Sequence, residues 1–393
     1  MHAGQLAALR TPDGVKALTT AAELAGGDPL AAAAALRSSG VPAGLAAAAL
    51  TQADLRRRAA GKFGADAGRM FFTRAGLEQA TRSAVATRRA ARLRAAGVRT
   101  LADLGCGIGA DAIAAARSGI TVYAWEADPG TAAVAAANAE VLGLAGITVT
   151  AGDATAADLS GVDAVFCDPA RRRDGRRVFD PAAYSPPWDF VAALPARVAR
   201  TVLKLAPGID HALIPPGAEA EWVSVRAEVV EAAFWCGPLA EVPRRATLVG
   251  AGELTGTGDA RAPVGPVGRY LFDPDGAVVR AHLVAEFAAL IGGHLADPEI
   301  AYVYADTPVP TPYARCIEIE EVLPFSLKRL RALLRARGVG RLEILKRGSA
   351  LDPDRLRRDL RLSGPAAASL VLTRVAGAPV ALIGSPTSGT TST

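Results

Sequence analysis

The chain has 393 residues, half of them hydrophobic, with 44 Lys and Arg against 39 Asp and Glu and a formal net charge of +5, which fits a soluble globular protein of two or three domains. No apolar run reaches the roughly 18 residues of a membrane span, and the opening M-H-A-G-Q-L-A-A-L-R lacks the basic and apolar regions of a signal peptide. Four scattered cysteines (Cys106, Cys167, Cys236, Cys316) and four scattered histidines (His2, His211, His282, His294) form neither a zinc motif nor a disulfide framework, so a cytoplasmic setting without a bound metal is expected.

Residues 1 to about 95 read as a helical region, with Ala/Leu-rich segments at 30–36 and 45–58 and Gly and Pro breaks between them. The stretch M-F-F-T-R-A-G-L-E-Q-A-T-R at 70–82 closes it, and a helix over 83–96 should pack on the sheet that follows. From Thr100, short β-branched runs alternate with Ala-rich helices. Strands are expected near 99–104, 120–125, 147–150, 163–167 and 200–205, an α/β pattern that argues for a parallel, Rossmann-like doubly wound sheet. Runs at 222–226 and 229–235 lie too close for a crossover helix and read as a hairpin with an antiparallel strand at the sheet edge. The Pro/Gly-rich stretch 250–268 reads as a boundary or long loop. These signals divide the chain into a helical region to 95, an α/β domain over 96–255, a connecting region over 256–315, an α+β domain over 316–385 and a disordered tail over 386–393. Within the α+β domain, strands at 316–322, 341–346, 367–375 and 379–384 accompany helices at 326–337, capped by Ser326 and stopped by Gly338, and 353–361.

The stretch L-A-D-L-G-C-G-I-G, ending at Gly109, joins an apolar run to an Ala-rich helical run. Gly105, Gly107 and Gly109 can take positive φ and admit a ligand to the backbone, and the helix behind offers unpaired N–H groups. The spacing is G-x-G-x-G and not the G-x-G-x-x-G of dinucleotide enzymes. Asp103, two residues before the first glycine, would repel a pyrophosphate and hold an ammonium group. Ligands bind outside the carboxyl ends of such strands. The second strand ends at Glu126, whose carboxylate can accept from two ribose hydroxyls. The third leads to Gly152-Asp153, where Asp153 can accept from an adenine amine, and the fourth ends at Asp168-Pro169. Either of Glu126 and Asp153 alone could be a solvated loop carboxylate; four acids at four strand ends are hard to explain that way.

On these residues, 97–236 resembles a class I S-adenosylmethionine-dependent methyltransferase. The resemblance implies that Asp103 and the three glycines hold the methionine part of that cofactor, Glu126 the ribose and Asp153 the adenine. The segment 71–81, ending at Thr81, is similar to the element that such enzymes place before the first strand and close over the cofactor. More narrowly, D-P-A-R-R-R at 168–173, Y-S-P-P-W at 184–188 and L-P-F-S-L-K-R-L at 323–330 resemble a bacterial group of methyltransferases with a carboxy-terminal THUMP-like domain, which would make the last domain a ferredoxin-like or THUMP-like α+β unit. THUMP domains occur in RNA-modifying enzymes.

Asp168, Pro169 and Arg171 are the catalytic candidates. Amine-methylating relatives carry [D/N]-P-P-[Y/F/W], whereas Ala170 and Arg171 stand here in place of the second proline and the aromatic. An arginine plane can stack on a base or hold a phosphate, with Arg172 beside it, and Trp188 or Tyr184 could supply the stacking platform. Twelve basic and four acidic residues lie between Lys328 and Arg361, a net of 12 − 4 = +8. That concentration, with Arg331, Arg335 and Lys346 as candidate contacts, suggests a docking face for a polyanion such as RNA. An RNA methyltransferase is the leading expectation. A small-molecule or protein methyltransferase, a non-catalytic RNA-binding protein and a nicotinamide dehydrogenase are the rivals, the last disfavoured by Asp103.

Overall fold

Four helices begin with the same two-residue signature, a capping side chain followed by proline at the first turn: Thr11-Pro12, Asp28-Pro29, Asp128-Pro129 and Asp352-Pro353. The capping oxygen accepts from an otherwise unpaired helix N–H, and proline's fixed φ suits the position. A computed structural model of the chain describes residue 1 and residues 3–170, 172–173, 176–177 and 184–387. The chain divides into two units, one of Met1–Leu205, Pro215–Ala218 and Phe234–Ala240 and a second of Ala206–Ile214, Glu219–Ala233 and Glu241–Thr393. Among the described residues no helix is long and apolar enough to cross a membrane.

The first unit opens with helices α1 (Ala3–Leu9), α2 (Pro12–Glu23), α3 (Pro29–Ser38), α4 (Ala43–Phe63), α5 (Arg74–Gln79) and α6 (Ser83–Ala95). The alternating part follows as β1 (Thr100–Leu104), α7 (Ala110–Arg117), β2 (Thr121–Glu126), α8 (Pro129–Val141), β3 (Ile147–Ala151), β4 (Ala164–Cys167), the two-residue strands β5 (Arg172–Arg173) and β6 (Arg176–Arg177), α9 (Trp188–Arg197) and β7 (Thr201–Leu205). The strand order β7-β4-β1-β2-β3 reverses between β1 and β4, the topological switch point at which such sheets bind ligands. All four pairings are parallel, so the strand ends fall in register: Leu104 faces Trp125 on one side and Cys167 on the other, and Cys167 faces Leu203.

The N-terminal helices share a core with this sheet layer. Leu9, Leu36, Met70 and Phe72 pack with Ile108, Ile113 and Val134, each large side chain contributing about 1.5–3 kcal/mol by burial. Two buried amides fix the backbone that joins the two parts. Gln52 accepts from Phe72 N at 3.0 Å and donates to Phe72 O at 2.7 Å. Asn138 accepts from Phe71 N at 2.7 Å and donates to Phe71 O and to Ile108 O, at 3.1 and 3.0 Å. Lys62 donates to the carbonyls of Leu77, Glu78 and Ala80, closing the end of α5. Gln52→Ala leaves a buried N–H and a buried C=O unpaired, so a loss of about 2–4 kcal/mol of stability is expected in a urea titration.

The second unit contains β8 (Glu219–Val225), most of β9 (Glu228–Trp235), β10 (Arg244–Leu248), β11 (Gly252–Gly256), β12 (Tyr270–Pro274), α10 (Gly276–Arg280), α11 (Val284–Leu290), β13 (His294–Leu295), β14 (Val303–Ala305), β15 (Ala314–Pro324), α12 (Leu327–Ala336), β16 (Val339–Lys346), α13 (Pro353–Leu360), β17 (Ala366–Val375) and β18 (Ala378–Pro386). β8 and β9 are joined by Arg226 and Ala227, both at positive φ, a two-residue turn whose twist suits a hairpin. The hairpin is not the edge that its sequence suggested: β10 runs parallel to β8, and β11, inside the stretch read as a boundary, pairs antiparallel with β10. Of the connecting region, β12, β13 and β14 join the sheet of the last domain, in the order β13-β14-β12-β15-β18-β17-β16.

The chain order β15-α12-β16-α13-β17-β18 is α+β, but a ferredoxin-like unit runs β-α-β-β-α-β. The difference lies in α13, which crosses between parallel strands β16 and β17, leaving the hairpin at the end of the chain. Leu330 and Leu334 on α12 and Leu356 and Leu360 on α13 pack on Leu370, Leu372 and Ile383. Of the expected disordered tail over 386–393, Pro386 belongs to β18 and residues 388–393 lie outside the described residues.

Candidate active site

β1 delivers the chain into a loop in which Gly105, Gly107 and Gly109 have φ of 89°, 56° and 89°, values that residues with a Cβ rarely adopt. A Cβ at Gly105 would lie 2.9 Å from Asp168 O, so this glycine lets the end of β4 approach; nothing lies within 4 Å of such an atom at Gly107, where the backbone faces open space. Trp125 O accepts from Gly105 N and Cys106 N at 3.0 and 2.9 Å. Glu126, at the end of β2, accepts from Gly107 N through one carboxylate oxygen and from Asp128 N through the other, both at 3.0 Å. Each oxygen keeps a lone pair for an outside donor. Asp153 is exposed, two residues beyond the Glu126–Ala151 pairing, and its carboxylate accepts from Thr155 N at 2.8 Å.

Asp103 is fully buried, and among the described residues neither carboxylate oxygen has a hydrogen-bond partner. Burial pushes its pKa well above the carboxylate range, and the charges of Asp111 and Asp168 add to the shift against the pull of Arg89 and Lys204. Arg89 itself is taken up by Asp111 at 3.0 Å and stacks over Phe166. An unpartnered buried carboxylate is costly, and a ligand bringing a cation with N–H donors would relieve it. The Oγ1 of Thr81 is likewise buried and unpartnered. Together these groups suit a ligand with an ammonium at Asp103 and hydroxyls at Glu126, laid along an open glycine backbone.

Asp168 continues from β4, with its N–H donating to Leu104 O at 3.2 Å. Its carboxylate forms a close ion pair with the Nζ of Lys204 on β7, a lysine only 7% exposed. Sequence reasoning missed Lys204. The signal was a single lysine inside T-V-L-K-L, a strand otherwise expected to be buried on both faces. Pro169 is buried, and Ala170 pairs with Ser185 through two backbone hydrogen bonds, of 2.7 and 3.1 Å. That pairing brings Y-S-P-P-W beside the segment that continues from β4. Tyr184 is buried and meets Trp188 edge-on with ring centroids 6.5 Å apart, while Trp188 is half-exposed at the start of α9. Arg171 lies outside the described residues. The backbone of Arg172 is in β5, but its side chain lies outside them.

The basic residues of the second unit are not one uniform face. Arg331 and Arg335, one turn apart on α12, donate to Asp359 O and Arg361 O at the end of α13, at 2.5 and 3.1 Å. Lys346 donates to Leu351 O at 2.9 Å from the far end of β16, about 23 Å from its start at roughly 3.3 Å per residue. Arg337 pairs with Glu320 and Glu321, Arg347 with Asp273 and Arg357 with Asp354. Lys328, Arg329, Arg341 and Arg358 are exposed.

Residues 314–386 match the family model of THUMP domain-like regions, and residues 3–59 match a domain of unknown function, DUF8688. Proteins of two strains of Mycobacterium tuberculosis, named uncharacterized S-adenosylmethionine-dependent methyltransferases, are 38% identical over 341 residues, which cover 82% of this chain and 90% of theirs. A crystal structure of a Porphyromonas gingivalis W83 protein assigned as a methyltransferase superposes with a TM-score of 0.73 at 22% identity, covering 95% of this chain and 98% of that one.

Proposed function

The chain belongs to the S-adenosylmethionine-dependent methyltransferases, and from that premise we propose that its methyl acceptor is RNA, docked by the basic carboxy-terminal domain and presented at Asp168. The observation that carries the RNA reading is the THUMP domain-like match over a segment whose core, Lys328 to Arg361, holds a net charge of +8.

When bound, S-adenosylmethionine supplies an electrophilic methyl group on a sulfonium. Asp103, whose oxygens are buried and unpartnered among the described residues, would hold the ammonium. Gly105, Gly107 and Gly109 would let the backbone approach, Glu126 would accept from the ribose, Asp153 would accept from the adenine amine, and Thr81 would offer its buried hydroxyl. Asp168 accepts a hydrogen bond from the acceptor group and so aligns its lone pair; positioning of this kind carries much of the acceleration in an in-line displacement. Trp188 is the stacking surface for a base.

Two experiments test this. Purified protein with labelled S-adenosylmethionine and the RNA, protein and metabolite fractions of a bacterial extract should transfer label to RNA; label confined to protein or metabolites would overturn the RNA reading and leave the cofactor reading standing. Charge reversal at the exposed Lys328, Arg329 and Arg341 should weaken RNA binding and reduce the slope of log affinity against log salt by about two, because each phosphate contact contributes roughly 0.7 to 0.9. An unchanged slope would move the docking surface elsewhere.

A further inference from the structure

We infer that Lys204 is a positioning residue that fixes Asp168 and sets the charge felt by the reacting end of the cofactor, so that it governs how strongly the protein distinguishes S-adenosylmethionine from the S-adenosylhomocysteine left after transfer. This rests on the reading of the β1 and β4 ends as the cofactor pocket.

The placement comes from strand register. Cys167 faces Leu203, which sets Lys204 beside Asp168, and Leu104 faces Cys167, which sets Asp168 beside the first glycine of the loop. An ammonium buried in an apolar strand is costly to keep unless it is paired, and its partner here is the acid at the end of β4. Lys204 also acts on Asp103, favouring its charged form where Asp168 and Asp111 disfavour it. Around the pair stand Asp103 of β1, Glu126 of β2, Asp111 of α7, Arg89 of α6 and the thiols of Cys106 and Cys167, which burial pushes up. Arg89 and Asp111 offset each other.

Both ligands carry the ammonium and carboxylate of the amino acid, so the contact of Asp103 with the ammonium weighs on both. Only S-adenosylmethionine carries the sulfonium, a few bonds from that ammonium. The ratio of the two dissociation constants therefore reads the charge around the reacting end, to which the Asp168–Lys204 pair contributes directly and through Asp103. Without Lys204 the pocket gains a net negative charge and the ratio should rise in favour of the cation; without the Asp168 charge it should fall.

The test is calorimetric titration of the full-length protein with each of the two ligands between pH 6 and 9. Lys204→Met should raise the ratio of the S-adenosylhomocysteine to the S-adenosylmethionine dissociation constant about five- to tenfold. Asp168→Asn should lower the ratio, Lys204→Arg should keep it, and the double variant Lys204→Met with Asp168→Asn should return it close to wild type. The opposite signs of the two single variants keep the inference testable even where one of them fails to fold. Parallel changes in both dissociation constants, with the ratio constant, would mark Lys204 as a packing residue and overturn the inference. Wild-type protein that binds neither ligand would overturn the pocket reading itself.

Discussion

Asp103→Asn is expected to weaken S-adenosylmethionine binding about ten- to a hundredfold while making the ligand-free protein more stable. The loss follows from replacing a charge-assisted hydrogen bond, worth roughly 1.5–3 kcal/mol, by a neutral contact. The gain follows from linkage. Burial raises the folded-state pKa of Asp103 well above its ordinary value of 3.8. The stability that this carboxyl contributes is therefore fully present below the unfolded pKa and is lost as pH rises through the raised folded one. At neutral pH the wild type bears the cost of burying an acid that the unfolded chain ionises freely, and asparagine does not. The difference in melting temperature between variant and wild type should thus be positive at pH 7 and vanish below about pH 4. Thermal melts across that range, with calorimetry at pH 7, check both halves. A variant that binds like wild type, or that melts lower at every pH, would mean that Asp103 is an ordinary core acid with no ligand to hold.

Asp168→Ala is expected to reduce turnover a hundredfold or more while changing cofactor affinity by less than tenfold, because misplacement of an acceptor by about 1 Å costs a factor of that order. It should also destabilise the protein, since Lys204 is left buried without its acid. Breaking a buried pair costs 3–5 kcal/mol, and the partial exposure of Asp168 puts this one near about 3 kcal/mol. Combining Asp168→Ala with Lys204→Met should recover most of the stability and none of the turnover. Single-turnover transfer to the labelled acceptor, alongside urea titrations of the three variants, separates the two effects. Near-normal turnover in Asp168→Ala would make this acid a structural strand end.

What was legible in the sequence was what is local. The strand, the three glycines and the acid before them fall within one short stretch, and a parallel sheet places the next strand ends beside it by register alone. The pairing of Asp168 with Lys204 spans two strands, and nothing in T-V-L-K-L says which acid its lysine meets. The contacts of Gln52 with Phe72, and of Asn138 with both Phe71 and Ile108, were invisible for the same reason. Charge counting found the basic stretch but not its internal uses: Arg331, Arg335 and Lys346 donate to main-chain carbonyls, a role that net charge does not encode. β13 and β14 are two and three residues long, too short for a period-two pattern to register.

The double grip of Asn138 gives the protein a built-in reporter. Its amide nitrogen spans two carbonyls, one preceding the sheet and one inside the glycine loop, while its oxygen holds the Phe71 N–H. The Phe71 and Ile108 carbonyls thus share one donor group, and a change at either is felt at Asn138. Deuterium uptake at the amide of Phe71, which Asn138 holds, is therefore expected to respond to the occupancy of a loop to which Phe71 does not belong. In a mass-spectrometric exchange experiment the peptide over 70–73 should slow with added cofactor as steeply as the loop itself, whereas Asn138→Ala should uncouple the two.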